Sequence, residues 1–221
     1  MKKQFLPVIH VRDIEQVLRN VNIAKNNGSD GVFLINHGDI KTKQLVEFYK
    51  EALKHNPDFW IGLNCLDIEG YNVFKNVPDS VSGIWIDNGG IYGNNKCAKK
   101  ILRKKKKYNF TGKYFGGVAF KAQERVKMKD LKKISISAID FMDVITTSGR
   151  YTGIPPSVKK IALMKKTIGK KKLALASGIS IENVNDYIQF VDYFLVSTGI
   201  SSSFYELDPI KVELLSKKIH S

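Results

Sequence analysis

Phe59-Trp60-Ile61-Gly62-Leu63-Asn64, followed by Gly83-Ile84-Trp85-Ile86-Asp87, decides how this chain is read: two short apolar runs with a polar, helix-like stretch between them. Neither run alternates cleanly between apolar and polar residues. Near-continuous hydrophobicity over so short a length is what a strand needs when both of its faces are covered, so parallel pairing is expected. Working outward, the same unit recurs in Phe5–Val11, Gly31–Asn36, Lys113–Phe120, Phe141–Thr146, Leu173–Ser177 and Tyr193–Ser197. The runs start 26, 28, 24, 30, 28, 31 and 21 residues apart, counting the seventh from Lys172. Each interval has room for one strand, one helix and two short loops. Eight such units close a barrel, so the expected fold is α/β, a single (β/α)8 TIM-barrel domain over residues 1–221. In that architecture the chemistry lies at the C-terminal ends of the strands.

The intervening stretches carry helix signals. Ile14, Val17, Leu18 and Val21 share one face, with Asp13 at the N-cap and Gln16 three residues on, a capping-box pattern. Leu45, Phe48, Tyr49, Ala52 and Leu53 repeat the spacing, and Asp208-Pro209 opens the last helix. A doubly wound sheet also alternates strand and helix, but no GxGxxG follows the first strand.

Composition narrows the function classes. The hydrophobic content of 43% comes without a long apolar run, which fits a soluble globular protein and no membrane partner. The apolar patch Phe5–Val11 meets Arg12 and Asp13 too soon for a signal peptide, so a cytoplasmic location is expected. Cys65 and Cys97 lack partners at metal-ligand spacing, so they are read as reduced thiols, with no metal and no cofactor expected. The net charge of +15, from 36 basic and 21 acidic residues, would suit nucleic acid. Its densest runs, Lys99–Lys107 and Lys165–Lys172, fall on the fourth and sixth predicted helices and the turns after them. Those turns lie at the bottom of a barrel, away from the usual site, so nucleic acid is not expected as a partner.

Three loops marked by glycine follow the last three strands: Thr146–Gly153, Ala176–Ser180 and Ser197–Ser203. Small residues let a backbone approach an anion closely, and many barrels hold phosphate after strands seven and eight. The candidate substrate and phosphate contacts are therefore Ser148, Gly149, Thr152, Gly153, Ser177, Gly178, Ser197, Thr198 and Gly199, with Asn64 from the third strand. Arg150 and Tyr151, between Gly149 and Gly153, are placed to form a closing lid. Ionisable groups end the earlier strands. Asp87 directly terminates Ile84-Trp85-Ile86 and is the candidate base or cation-stabilising carboxylate. Lys121 follows Gly117-Val118-Ala119-Phe120 and can neutralise substrate charge or act as an amine nucleophile. His10 ends the first strand and completes the catalytic candidates, while His37 and Asp39 read as loop residues, with Asp39 capping the second helix.

Four stretches carry a resemblance: Gly62-Leu63-Asn64; Thr147-Ser148-Gly149 with Thr152-Gly153; Ala176-Ser177-Gly178-Ile179-Ser180-Ile181-Glu182-Asn183-Val184; and Val196-Ser197-Thr198-Gly199-Ile200 with Leu207-Asp208-Pro209. They resemble the BtpA family, phosphate-binding-type TIM barrels named for a member linked to photosystem I biogenesis. The resemblance spans most of the chain and is strongest from Val144 onward. It implies the barrel and an anionic ligand and leaves the reaction open. The chain departs from the family in its first strand, Val8-Ile9-His10-Val11-Arg12, and in Cys65-Leu66-Asp67 after Asn64. The expected function is a soluble enzyme acting on a small phosphorylated metabolite: a sugar phosphate, phosphoribosyl or nucleotide compound. Isomerase, lyase and phosphoribosyl-transfer chemistry stay open, as does a homo-oligomer. The alternative is a non-enzymatic metabolite-binding or assembly protein on the same barrel.

Overall fold

Eight parallel strands pair in chain order, and the last bonds back to the first to close the barrel. The computed structural model describes residues 2–121 and 123–221. The strands are β1 (Gln4–His10), β2 (Val32–Ile35), β3 (Ile61–Asn64), β4 (Gly83–Ile86), β5 (Lys113–Gly117), β6 (Val144–Ser148), β7 (Lys172–Ala176) and β8 (Tyr193–Val196). Between and after them lie α1 (Ile14–Asn26), α2 (Thr42–His55), α3 (Val73–Asn76), α4 (Lys96–Lys107), α5 (Met128–Ala138), α6 (Val158–Ile168) and α7 (Pro209–His220). This is the expected (β/α)8 arrangement, with two units shortened. The β3–β4 connection keeps one 3-10 turn and the single helical turn α3, and the short β7–β8 connection has only the 3-10 turn Val184–Asp186.

The largest departures from the expected strand bounds are at the end of β5 and the start of β6. Strand β5 stops at Gly117 because Ala119 turns the chain with a φ of 49°. Strand β6 starts at Val144 because Phe141 still belongs to the turn after α5, its amide donating to Ala138 O at 3.1 Å. Helix α2 is capped differently from the expectation. Its N-cap position is Lys41, and Asp67, from the loop after β3, accepts from the Thr42 amide at 3.0 Å and from Asn36 Nδ2 at 2.6 Å. Asp13 and Asp208 cap α1 and α7 as read, each accepting from first-turn amides.

Register carries one line of paired residues from His10 through Ile35, Asn64, Trp85, Phe115 and Val144 to Lys172, from the C-terminal end of β1 to the N-terminal end of β7. Paired residues of parallel strands face the same side, so this line fixes which side chains fill the barrel. The interior cluster is Leu6, Val8, Phe33, Ile35, Trp85, Phe115, Phe120, Val144, Ala174, Ala176 and Leu195. Phe33 meets Trp60, Trp85 and Phe115 edge-on at 5.1, 5.7 and 5.1 Å between centroids. Each buried ring contributes on the order of 3 kcal/mol. Gly62 makes room for them, since a Cβ there would stand 2.4 Å from the Phe33 ring.

The bottom of the barrel is tied by a repeated bond. Asp30, Ser82, Asp143 and Asp192, each just before an even-numbered strand, accept from Phe5, Ile61, Tyr114 and Leu173 amides at 2.8, 3.3, 2.7 and 3.0 Å. Lysines join the three carboxylates: Lys2 at Asp30, Lys105 at Asp143, and Lys165 and Lys172 at Asp192. Part of the basic excess thus serves the structure at the end opposite the candidate site. Among the described residues, no helix is long and apolar enough to cross a membrane, and no group of three or more His, Cys, Asp or Glu is arranged to hold a metal.

Candidate active site

The inward parity of β1 and β8 carries His10 and Ser197 to the barrel mouth, where the loops after β5, β6 and β7 meet them. A narrow cleft of about 50 Å³ opens there, walled by His10, Lys121, Thr152, Gly153, Ser177, Gly178, Ser197, Thr198 and Gly199, with Trp85 among its apolar lining. Of the residues expected at the site, the fold gathers these nine around one opening. Lys121 Nζ reaches Thr152 Oγ1 at 3.3 Å, bringing the β5 and β6 loops together across it.

Backbone strain concentrates at the same place. Among the described residues, positive φ outside glycine occurs at Asn95, Asn109, Ala119 and Ser177. Asparagine tolerates that region, so Ala119 and Ser177 are the costly ones, and both stand in loops at the mouth. Ser177 at 76° is followed by Gly178 at 74°. A Cβ on Gly178 would lie 2.1 Å from Pro155 N, and one on Gly149 would lie 1.8 Å from Ile154 O. These glycines admit neighbouring backbone: the β6–α6 loop lies directly against the β7 loop.

His10 does not stand alone. Its Nδ1 is 2.7 Å from His37 Nε2, and Phe204 from the loop after β8 stacks on its ring at 4.3 Å. Burial first, then the neighbouring His37 and the Lys121 charge, push His10 down to about 4. Burial and Lys121 also lower His37. Both rings are therefore neutral at pH 7, one nitrogen donating and the other accepting. The sequence marked His37 only as a loop residue and passed over Phe204. The aromatic pair Phe204-Tyr205 after Ser201-Ser202-Ser203 was the available cue.

Ser148 organises the next wall. Its Oγ accepts from the Lys121 amide at 2.7 Å, and its carbonyl accepts from Lys160 Nζ at 2.7 Å. Lys160, which no sequence pattern pointed to, also donates to Ala119 O at 2.6 Å.

Asp87 and Asn64 form a separate pair, with Asn64 Nδ2 donating to Asp87 Oδ1 at 2.9 Å. They line a neighbouring cavity of about 400 Å³ with Asn88, Tyr92 and Cys97 rather than the narrow cleft. Burial raises the Asp87 carboxyl above the usual range, opposed by the Asn64 bond and the Lys121 charge. Lys121 is thus the group that acts electrostatically on both Asp87 and His10.

The sequence profile of the BtpA family matches residues 73–221, more than half of the chain. A curated protein named Uncharacterized protein TK2179, from Thermococcus kodakarensis, is 26% identical over 207 residues, 85% of this chain and 77% of that one. Solved structures give wider fold likenesses. (S)-3-O-geranylgeranylglyceryl phosphate synthase from Thermoplasma acidophilum, in complex with its substrate sn-glycerol-1-phosphate, has a TM-score of 0.73 at 12% identity, covering 99% of this chain and 94% of that one. Tryptophan synthase subunit alpha from Legionella pneumophila gives 0.71 at 12% identity over 99% and 93%. Phosphoribosyl anthranilate isomerase from Thermus thermophilus gives 0.65 at 12% identity over 98% and 98%. At such identities the likeness is one of fold.

Proposed function

Starting from the chain's membership of the BtpA family, we propose that it is an enzyme acting on a small phosphorylated metabolite: a sugar phosphate, phosphoribosyl or nucleotide compound. The phosphate sits between the loops after β7 and β8. The observation that carries this reading is the narrow cleft itself, where the hydroxyl-bearing residues Ser177, Ser197 and Thr198 face Lys121 and His10. Hydroxyls and an ammonium are the donors that a phosphate's oxygens require, and His10 adds a group able to exchange a proton. A bound dianion would also raise His10 from its low value, because a nearby negative charge favours the imidazolium. Several solved structures of the same fold are, by their names, enzymes of phosphorylated compounds, which supports the reading by analogy.

Asp87, kept protonated more readily by burial, serves as general acid or base toward the part of the substrate beyond the phosphate. Lys121 holds the substrate's charge, or attacks a carbonyl as an amine. The test is a screen of phosphorylated metabolites for turnover and for thermal stabilisation. For a substrate found in that screen, Asp87→Asn should lower turnover by about 100-fold or more with the fold intact. Lys121→Met should weaken both binding and turnover. Stabilisation by phosphorylated compounds without turnover, equal in wild type and both variants, would replace the enzyme with a metabolite-binding protein.

A further inference from the structure

Beside the phosphate cleft lies a third cavity, of about 530 Å³, between the loops after β5 and β6. Its lining carries four cations, Lys121, Lys160, Arg125 and Arg150, against one carboxylate, Glu124. Among the described residues none of the four makes an ion pair, whereas at the bottom of the barrel Lys2, Lys105, Lys165 and Lys172 all do. We propose that this cavity is an anion subsite continuous with the phosphate cleft, so that the ligand of the mouth is a phosphorylated compound bearing a second acidic group, a carboxylate or another phosphate. The proposal rests on the phosphate reading of the cleft and adds to it the charge of the ligand's other end.

Lys160 is the group that separates this cavity from an ordinary solvated lysine surface. It reaches in from the first turn of α6, and its ammonium spends two donors on main-chain carbonyls, Ala119 O at 2.6 Å and Ser148 O at 2.7 Å. An ammonium has three donors, which leaves one for a ligand. Burial alone pushes this amine down to about 8, so its charge is held at a cost that an anion in the cavity would offset. Ser148 then ties the two lysines together. The Lys121 amide donates to its Oγ and Lys160 to its carbonyl, so the two lysines flank one residue. Lys121 lines both the cleft and the cavity. A ligand with its phosphate at Ser177 and Thr198 therefore passes Lys121 on its way to Lys160, Arg125 and Arg150. Fixed cations of this kind discriminate by charge, since a neutral hydroxyl in place of an acid group leaves them uncompensated.

Calorimetric titration of the full chain with ligands that share a phosphate and differ at the other end tests the proposal. The probes are glycerol 3-phosphate, 3-phosphoglycerate and propane-1,3-diol bisphosphate. One or both of the doubly acidic probes should bind roughly tenfold or more tightly than glycerol 3-phosphate, the scale of a charge-assisted contact. Which of the two gains distinguishes a carboxylate from a phosphate. Lys160→Met should bring that ratio close to one while glycerol 3-phosphate binds as before. Arg150→Ala, on an exposed loop, should reduce the ratio in the same direction if Lys160→Met fails to fold. Equal affinity for all three probes in the wild type would overturn the subsite and leave the phosphate cleft standing. If none of the three binds, the phosphate reading fails, and protection of Lys160 from reductive methylation by malonate, followed by peptide mass spectrometry, decides the subsite separately. Protection of Lys160, with or without Lys121, supports it; no protection of Lys160 overturns it.

Discussion

His10 Nδ1 and His37 Nε2 stand 2.7 Å apart at the barrel mouth, joining the end of β1 to the loop after β2 beneath the Phe204 ring. The bond needs one ring to donate and the other to accept, and protonating both rings would break it. Burial leads the causes that hold His10 down to about 4, against 6.5 when unfolded. Between about pH 6.5 and 4 the unfolded chain therefore binds a proton that the native chain refuses, and stability falls as pH drops through that window. A His10→Gln variant should lose part of this slope in thermal melts. In NMR titrations of the wild type, His10 should remain neutral at pH 5.5, and saturating phosphate should move its titration upward. A ring that titrates near 6.5 without ligand would show that the pair is not formed in solution.

Gly178→Val is expected to destabilise the protein before it affects any ligand. The position has a φ of 74°, and a Cβ would lie 2.1 Å from Pro155 N and 2.4 Å from the Ile154 carbonyl carbon. The backbone strain alone costs about 1–3 kcal/mol, and displacing the β6–α6 loop adds to it. Urea unfolding should show a lower midpoint for Gly178→Ala and a lower one still for Gly178→Val. Ser177→Ala and Thr198→Ala, which add no atoms, are the cleaner probes of the proposed phosphate contact. An unchanged midpoint for Gly178→Val would mean that the loop does not pack as described.

Trp85 is 4% exposed, lines the narrow cleft at the barrel mouth, and its Nε1 finds no hydrogen-bond partner among the described residues. An unpaired buried N–H costs about 1–3 kcal/mol unless a water or ligand atom accepts from it. Trp85→Phe should therefore leave the free protein as stable as wild type or nearly so, and weaken the binding of a substrate that offers an acceptor there. Parallel melts with and without a substrate identified in the turnover screen measure both effects. Equal stabilisation by that substrate in the two proteins would remove the indole N–H from the binding contacts.

Asp192 gathers three donors at the bottom of the barrel. It accepts from Lys165 at 2.7 Å, Lys172 at 3.1 Å and the Leu173 amide at 3.0 Å. Burial pushes its carboxyl up, but these bonds together outweigh burial and hold it below the usual range. Its contribution is present above the unfolded value of 3.8 and disappears as pH falls through the lower native value. Asp192→Asn should lower stability at pH 7 by about 1–3 kcal/mol in urea titrations and have no effect on ligand binding at the opposite end. A change in ligand affinity with unchanged stability would contradict the separation of the two ends.

Much of the frame was legible in the residues alone. Strand number, order and direction follow from apolar runs and their spacing, because covered parallel strands impose a local composition and helices impose a local period. The missing helix of the β7–β8 unit was not legible: the 21-residue interval from Lys172 to Tyr193 was expected to hold a strand, a helix and two loops like the others, and it holds only the 3-10 turn Val184–Asp186. Strand-end position places His10, Asn64, Asp87 and Ser148 at one end of the barrel, and the run of small residues after β7 and β8 marks where a phosphate would be sought.

Tertiary structure alone decided who meets whom at that end. His37 joins His10 from 27 positions away, and Phe204 covers the pair from the far end of the chain. Lys160 sits on a helix face that looks like any other lysine of this basic chain until Ala119 O and Ser148 O close on its ammonium. Asp87 and Asn64 share a cavity distinct from the cleft that strand-end position alone suggested for them. Gly149 and Gly178, whose small size invited an anion, are filled from the side by the backbone of Ile154 and Pro155. The physical reason is that composition and period are properties of a few consecutive residues. Contacts across the mouth depend on the stagger of eight strands and on the paths of loops that no single segment specifies.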